Sequence, residues 1–258
     1  MRNLKDMVVL ITGASRGIGA ATATVMSKYG AIVVLAARSR HDIENNVQKI
    51  ESSGGRASSI ICDVSNYQDV KKAIDFCIEK YGRLDVLVNN AGTIDPISKL
   101  SESCPEKWSQ AVDINLKGVY YGIRCAIPVM IKQGKGTIIN ISSGAANSTL
   151  EGWSHYCSTK AAAKKLTECA HNEVYHQGIR VIGLRPGTVA TDMMSKIKDS
   201  GVNKVSRLDW SVHITPEWAG EAVAFLCTSG GDPFVGTDFS IKTEEGRKLV
   251  GLEKCTKS

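Results

Sequence analysis

The stretch SHYCSTK, residues 154–160, sets a phenol and an ammonium four positions apart with no helix breaker between them. On a helix, positions four apart differ in direction by only about 40°. Tyr156 and Lys160 would then face one side, while Cys157, Ser158 and Thr159 turn away. A tyrosine hydroxyl has a reference pKa of about 10, too high for easy proton exchange near neutrality. An ammonium about 5 Å away, at an effective dielectric of about 20, stabilises the phenolate by about 3 kcal/mol. The pair therefore reads as a proton-transfer device with an acidified phenol. Spacing alone does not carry that reading, because randomly placing 7 tyrosines and 21 lysines along 258 residues gives about half a match. Tyr67 and Lys71, in YQDVK, share the same spacing. The surroundings must separate the two.

Those surroundings alternate between two patterns. Short β-branched runs fall at 7–12, 31–37, 57–63, 84–89, 136–142 and 179–185, with helically spaced apolar segments such as 18–29 and 70–81 between them. Short apolar runs bounded by turns suit buried parallel strands, and the longer segments suit crossover helices. The expected fold is a single α/β domain over 1–258: a doubly wound (Rossmann) parallel sheet of about seven strands, helices on both faces. TDFSI, near the end, supplies the seventh strand, and TEEGRKLVGL an extra helix in a C-terminal extension at 243–258. In such a sheet ligands bind outside the C-terminal ends of the strands.

The chain is 43% hydrophobic and 22% charged, which suits a globular protein. No apolar run reaches the about 18 residues a membrane span needs, and the start has no signal-peptide pattern. Eight cysteines without CxxC pairing, mostly inside apolar patterns, point to a reducing, cytoplasmic setting. No metal ligand set is expected. The net charge of +6 is scattered, with no basic stripe of interleaved aromatics, so no nucleic-acid partner is expected. Attraction of an anionic cofactor is a better use for it.

A glycine-rich turn, TGASRGIG at 12–19, follows the first strand. Gly13, Gly17 and Gly19 let backbone approach a phosphate, and the following helix turns its positive end toward that charge. Ser15, Arg16 and Ile18 belong to the same cradle. At the end of the second strand an acid would select NAD, whereas an arginine suits the 2′-phosphate of NADP. Here the strand ends Ala36, Ala37, Arg38, with Arg40 close by and no carboxylate. Guanidinium groups at Arg16 and Arg38 make a charge-assisted phosphate site, so NADP(H) is the expected cofactor.

TGASRGIG, CDV (62–64), NNAG (89–92), DINLKG (113–118), ISS (141–143), YCSTK (156–160) and RPG (185–187) occur in this order, each at a strand end or in the helix after it. Together they resemble the short-chain dehydrogenase/reductase family over about residues 5–230. The resemblance implies hydride transfer between a nicotinamide and a carbonyl or secondary alcohol. It implies an active site of Asn115, Ser143, Tyr156 and Lys160, with Ser143 standing 13 residues before Tyr156. The same offset before Tyr67 falls on Gly54, so Tyr67–Lys71 reads as a helix-surface pair. Ser142 is a rival to Ser143 that the spacing disfavours.

By the same resemblance Tyr156 gives the proton, and Lys160 tunes it and holds the nicotinamide ribose. Ser143 binds the carbonyl oxygen, and Asn115 holds a water that links Lys160 to solvent. Asp63 and Val64 would contact adenine, Asn90 and Gly92 the adenosine ribose. Pro186 and Gly187 would form a turn beside the nicotinamide, with Val189 and Thr191 at its carboxamide. The expected substrate is a small-molecule carbonyl or acyl thioester, a 3-oxoacyl thioester among them. Polyol, steroid or xenobiotic carbonyls, or a non-catalytic NADP-sensing module, are alternatives. The resemblance implies a homodimer or homotetramer, and the extension at 243–258 departs from the usual interface segment. Residues 193–215 would form a substrate lid, basic through Lys196, Lys198, Lys204 and Arg207, with Trp210 and Val212 lining an apolar pocket. His155 and Cys157 read as packing or surface residues.

Overall fold

In the computed structural model, which describes residues 2–252, seven strands form one parallel sheet. They are β1 (Val8–Thr12), β2 (Ile32–Ala37), β3 (Arg56–Ile61), β4 (Val86–Asn89), β5 (Gly136–Ile141), β6 (Ile179–Arg185) and β7 (Asp238–Ser240). Their spatial order is β3-β2-β1-β4-β5-β6-β7. Every neighbouring pair is parallel. The order reverses between β1 and β4, and that switch point opens a crevice at the strands' C-terminal ends.

The nearly unbroken apolar runs of β1, β2 and β4 fit a sheet covered on both faces, while the edge strand β3, RASSII, is half-exposed. Val9 and Ile11 of β1 enter one core with Val33, Val88, Ile139 and Leu184. Val8 and Leu10 enter the other with Val34, Leu87, Ile138 and Val181. Successive side chains on a strand alternate in direction, so two buried faces demand a run of apolar residues.

On the first face α1 (Gly17–Lys28) packs against α8 (Pro216–Leu226), where a Cβ on Gly220 would lie 3.2 Å from Ala21 O. Glycine there lets the two helices approach closely. The second face carries α3 (Tyr67–Tyr81), α5 (Gly118–Gln133) and α6 (Ser154–Val174). Helix α3 starts where Asn66 Oδ1 accepts from Gln68 N at 2.8 Å and ends at left-handed Gly82. Helix α2 (Arg40–Ser52) precedes β3, and α4 (Pro105–Val112) joins α5 through a π-helical turn, Asp113–Lys117.

The strand expected from TDFSI is shorter, Asp238–Ser240, and α9 (Glu244–Val250) follows it. Ile241, just past the strand, is fully buried and still donates its backbone N–H to Arg185 O of β6 at 3.3 Å. Thr243 caps α9, accepting from Gly246 N at 3.1 Å. The extra helix folds back on its own chain: Arg247 donates to Lys242 O at 2.8 Å, and Arg2 bonds both Val250 O and Glu221. Residues 253–258 of the expected extension, with Cys255, lie outside the described residues. Among the described residues no helix is long and apolar enough to cross a membrane, and no cluster of His, Cys, Asp or Glu could hold a metal ion.

Candidate active site

The β1–α1 turn is built from glycines that other backbone needs. Gly13 has φ +64° and a Cβ there would sit 2.8 Å from Ala91 Cα. A Cβ on Gly19 would sit 2.4 Å from Gly13 O and 2.6 Å from Asn90 Nδ2. Asn90 Nδ2 donates to Thr12 O at 2.8 Å, and Thr12 Oγ1 accepts from Asn90 N at 3.0 Å. The ends of β1 and β4 are thereby locked together. Asn46 of α2 adds a clamp, donating to Ala14 O at 3.1 Å and Ser15 O at 3.0 Å. Gly17, at φ +56°, faces Thr191, whose Cγ2 would lie 3.3 Å from an added Cβ. Ser15 and Ile18 are half-buried beside it.

This turn fits a dinucleotide phosphate. Helix α1 has no side-chain cap and no acid in its first turn, so its leading N–H groups are left for a ligand. Arg38 is exposed at the end of β2. Arg16 is exposed too, loosely paired with Asp192 at 3.5 Å. Arg40 instead bonds Glu44 one turn along α2, at 3.1 Å. Asp63 commits Oδ1 to Ser65 N at 2.9 Å and Ser65 Oγ at 2.7 Å. Val64 is buried under Gly118. Pro186 is buried, and Gly187 turns with φ +89°. Val189 bridges to Ile214, and Thr191 caps α7 (Asp192–Ser200).

The end of β5 meets α6. Lys160 is buried and donates to Ile141 O at 2.7 Å, with its Nζ 5.7 Å from the Tyr156 ring centre. Ser143 accepts from Ala145 N at 3.1 Å, and its hydroxyl stands near enough to the Tyr156 phenol to pull its pKa down. Ser142 points elsewhere, donating to Asp238 Oδ2 at 2.9 Å. The rivalry between the serines is thus decided by direction: only Ser143 is at the phenol. Asn115, fully buried on the π-helical turn, spends its amide on Thr93, with Oδ1 to Thr93 N and Nδ2 to Thr93 O both at 2.8 Å. A Cβ on Gly92 would lie 3.3 Å from Asn115 Oδ1 and 4.0 Å from Lys160 Nζ, so these groups share one small space. Such π-turns recur at functional sites because they shift a side chain out of the regular helical register.

The acidified phenol expected from the sequence is not what the structure shows. Burial pushes the Tyr156 phenol up from its ordinary value, with the Ser143 hydroxyl pulling the other way. Burial also lowers the Lys160 ammonium to about 8, opposed by the negative charge of Asp238. For each group, loss of water on burial is the largest effect.

The rival pair lies away from the cleft. Lys71 bonds Asp75 at 2.6 Å on an exposed face, and Tyr67 stacks edge-on against Tyr121 with ring centres 5.4 Å apart. His155 is buried with Nε2 2.8 Å from Ile94 O, and burial lowers its pKa. A carbonyl only accepts, so Nε2 carries the proton and the neutral ring is a packing element. Cys157 is half-buried against an apolar cluster of Ile94, Trp153, Met194 and Ile197, which also contacts Tyr156. Trp153 packs edge-on to the Tyr156 ring at 5.7 Å. Trp210 and Val212, expected to line the apolar pocket, are instead 41% and 48% exposed, with Lys198 6.0 Å over the Trp210 ring. In the lid, Lys196 pairs with Asp95 at 2.7 Å.

Several supporting residues are assigned no role from the sequence. Asn89 donates to Asn140 at 2.8 Å and Asn140 to Thr167 at 2.9 Å, a buried ladder tying β4 and β5 to α6. Asn46 and Asp238 are of the same kind. A signal exists for Asn89, Asn140 and Asp238, since a polar residue inside a buried strand must find a partner.

A switch-point crevice lined by an uncapped helix N-terminus, a half-buried tyrosine and a buried lysine defines a dinucleotide-linked oxidoreductase. The chain belongs to the short-chain dehydrogenase family, whose model matches residues 7–201. It is 40% identical over 207 residues to an uncharacterized oxidoreductase of Staphylococcus saprophyticus, covering 79% of this chain and 82% of that one. It is 32% identical over 226 residues to the 3-oxoacyl-[acyl-carrier-protein] reductase of Thermotoga maritima, covering 87% and 92%. Among solved structures it superposes on an actinorhodin polyketide ketoreductase with NADPH at a TM-score of 0.85, with 25% identity over 92% of this chain and 95% of that one.

Proposed function

We propose that this oxidoreductase is NADP(H)-dependent and moves a hydride between nicotinamide and a carbonyl or secondary alcohol, with Tyr156 as general acid and base. The carrying observation is the convergence of three groups at the end of β5: Ser143 on the Tyr156 phenol, and Lys160 fixed to Ile141 O at 2.7 Å. When bound, the reduced cofactor supplies the hydride. Gly13, Gly17, Gly19 and the uncapped end of α1 would hold its pyrophosphate, and Arg16 and Arg38 its 2′-phosphate. Asn90, Gly92, Asp63, Val64, Pro186, Gly187, Val189 and Thr191 would line the rest.

In reduction, the Tyr156 hydroxyl gives its proton to the substrate oxygen while Ser143 hydrogen-bonds the same oxygen. The raised phenol suits this direction, because it keeps the proton in place until charge develops on the oxygen. Lys160 then stabilises the phenolate. Asn115 stands across Gly92 from Lys160, with its side-chain amide hydrogen-bonded to Thr93. The apolar cluster of Ile94, Trp153, Met194 and Ile197 beside Tyr156 favours a substrate with an apolar body. A 3-oxoacyl thioester is the leading class, supported by the Thermotoga maritima relative. A cyclic alcohol or ketone is the second, supported by the same cluster and by a cyclohexanol dehydrogenase of Acinetobacter, 28% identical over 239 residues.

The test is NADPH absorbance against acetoacetyl thioesters, cyclohexanone and aldehydes, for the protein and for Tyr156→Phe. The variant should bind NADPH normally and lose at least about a hundredfold in turnover. Undiminished turnover would remove Tyr156 from the chemistry.

A further inference from the structure

Three consecutive residues leave β5 and each takes a different partner. Ile141 O holds Lys160 at 2.7 Å, Ser142 Oγ donates to Asp238 at 2.9 Å, and Ser143 stands against Tyr156. The middle contact has no part in the chemistry proposed above, yet it lies between the two that do. Its acceptor is unusual: the Asp238 side chain is only 4% exposed, on a three-residue strand.

The fold makes room for that carboxylate. Asp238 pairs in register with Gly183 of β6, and a Cβ on Gly183 would lie 1.8 Å from Asp238 Oδ1. No side chain other than hydrogen fits at position 183 beside this aspartate. Oδ1 has no hydrogen-bond partner, and Arg185 Nε stands 3.6 Å from Oδ2, outside hydrogen-bond range. The negative charge is therefore only partly neutralised locally and acts on its surroundings at low dielectric.

We propose that Asp238 is a positioning residue for the tyrosine–lysine pair: through Ser142 it pins the end of β5 that holds Lys160 and Tyr156, and its buried charge keeps the Lys160 ammonium protonated. The inference rests on the function proposed above. The groups facing Asp238 are Ser142 from β5, Arg185 from β6, and Lys164 and Glu168 from α6. His171 of α6 packs on Gly236 just before the strand. Lys160 faces Tyr156 on its own helix, Ile141 O on β5, and Asn115 across Gly92. Of the acids among these, Glu168 is two turns away along α6, and Asp238 alone acts on Lys160, opposing the loss of its proton.

The test reads Lys160 directly in the protein without cofactor. Lysine side chains carrying ¹³C at Cε are titrated by NMR, and the Lys160 signal is assigned by its absence in Lys160→Met. The wild-type midpoint is expected at about 8. Asp238→Asn keeps the shape and an acceptor for Ser142 but removes the charge, so the midpoint should move to lower pH. Arg185→Gln removes a neighbouring cation and should move it to higher pH, which keeps the test alive if Asp238→Asn folds poorly. Ser142→Ala leaves the charge and breaks the anchor, so kcat should fall while NADPH affinity holds.

Midpoints that superimpose on wild type in both charge variants overturn the electrostatic role, and an unchanged kcat in Ser142→Ala overturns the anchoring role. A merely structural aspartate would lower the melting temperature and leave the midpoint alone. Tyr156→Phe, assayed alongside, separates the two readings. If it stays active the proposed chemistry falls. If it is inactive while the Lys160 midpoint is indifferent to Asp238 and Arg185, only the positioning role does.

Discussion

Replacing Lys160 by methionine should make the protein more stable and abolish its turnover. The ammonium is buried, and burial lowers its pKa from 10.5 to about 8. At about 1.4 kcal/mol per unit, that gap means the folded state carries the charged lysine at a cost of about 3 kcal/mol. Methionine removes the charge at similar length. It also leaves Ile141 O without its 2.7 Å donor, which returns about 1 kcal/mol. The net expectation is a gain of about 2 kcal/mol at pH 7. The sign with pH is fixed by proton counting. Between about 8 and 10.5 the unfolded chain binds the lysine proton more tightly than the folded one, so wild-type stability rises with pH through that window. The penalty is fully present below about pH 8 and disappears toward 10.5, so the variant's advantage should shrink in step. Urea unfolding of both proteins at several pH values from about 7 to 9.5 measures the difference. A Lys160→Met protein that is less stable at pH 7, or whose advantage does not change with pH, refutes the argument that burial dominates this site.

Three further outcomes are expected. Arg38→Asp should lower the NADP/NAD preference by about tenfold or more, measured as the ratio of kcat/KM, because the 2′-phosphate would meet a like charge; an unmoved ratio rejects the phosphate assignment. Gly19→Ala should weaken NADPH binding by about tenfold or more in a fluorescence titration, since its Cβ would lie 2.4 Å from Gly13 O, a backbone atom that cannot step aside. Lys71→Met, at the rival pair, should leave turnover within about twofold of wild type, because it breaks only an exposed ion pair with Asp75.

Six of the strands are legible in the sequence: β1, β2 and β4 as nearly unbroken apolar runs of a sheet covered on both faces, the others as short β-branched runs bounded by turns. The seventh reads slightly too long: the regular strand is Asp238–Ser240, and Ile241 keeps a single hydrogen bond to Arg185 O of β6, a difference at the strand's frayed end that hydrophobicity does not report. Helical spacing places Tyr156 and Lys160 on one side of α6, and the offset to Ser143 picks the serine that the structure sets against the phenol. Direction beyond that is not legible. Trp210 and Val212 are apolar, yet they are 41% and 48% exposed, while the apolar cluster beside Tyr156 comes from Ile94, Trp153 and Met194, drawn from three separate segments. The acidified phenol fails for a related reason. Spacing reports how near two charges are but not how much water each has lost, and at this site the lost water outweighs the nearness.

That loss of water also explains the company the site keeps. A buried ammonium is tolerated only where the backbone around it cannot relax away. Here α6 is held by the Asn89–Asn140–Thr167 ladder on one strand pair and by Lys160 itself at Ile141. Gly122 is open enough for Asn89, since a Cβ there would lie 2.2 Å from Asn89 Oδ1. Each of these polar contacts is worth little alone, about 1 kcal/mol net, but leaving any one unpaired in the interior costs more than making it gains. The ladder therefore acts less as added stability than as a constraint on register. It fixes α6 against β5, and with it the direction in which the phenol and the ammonium enter the cleft. A site assembled this way should respond to ladder substitutions in kcat before it responds in fold, because a small displacement of α6 moves the proton donor long before it exposes the core.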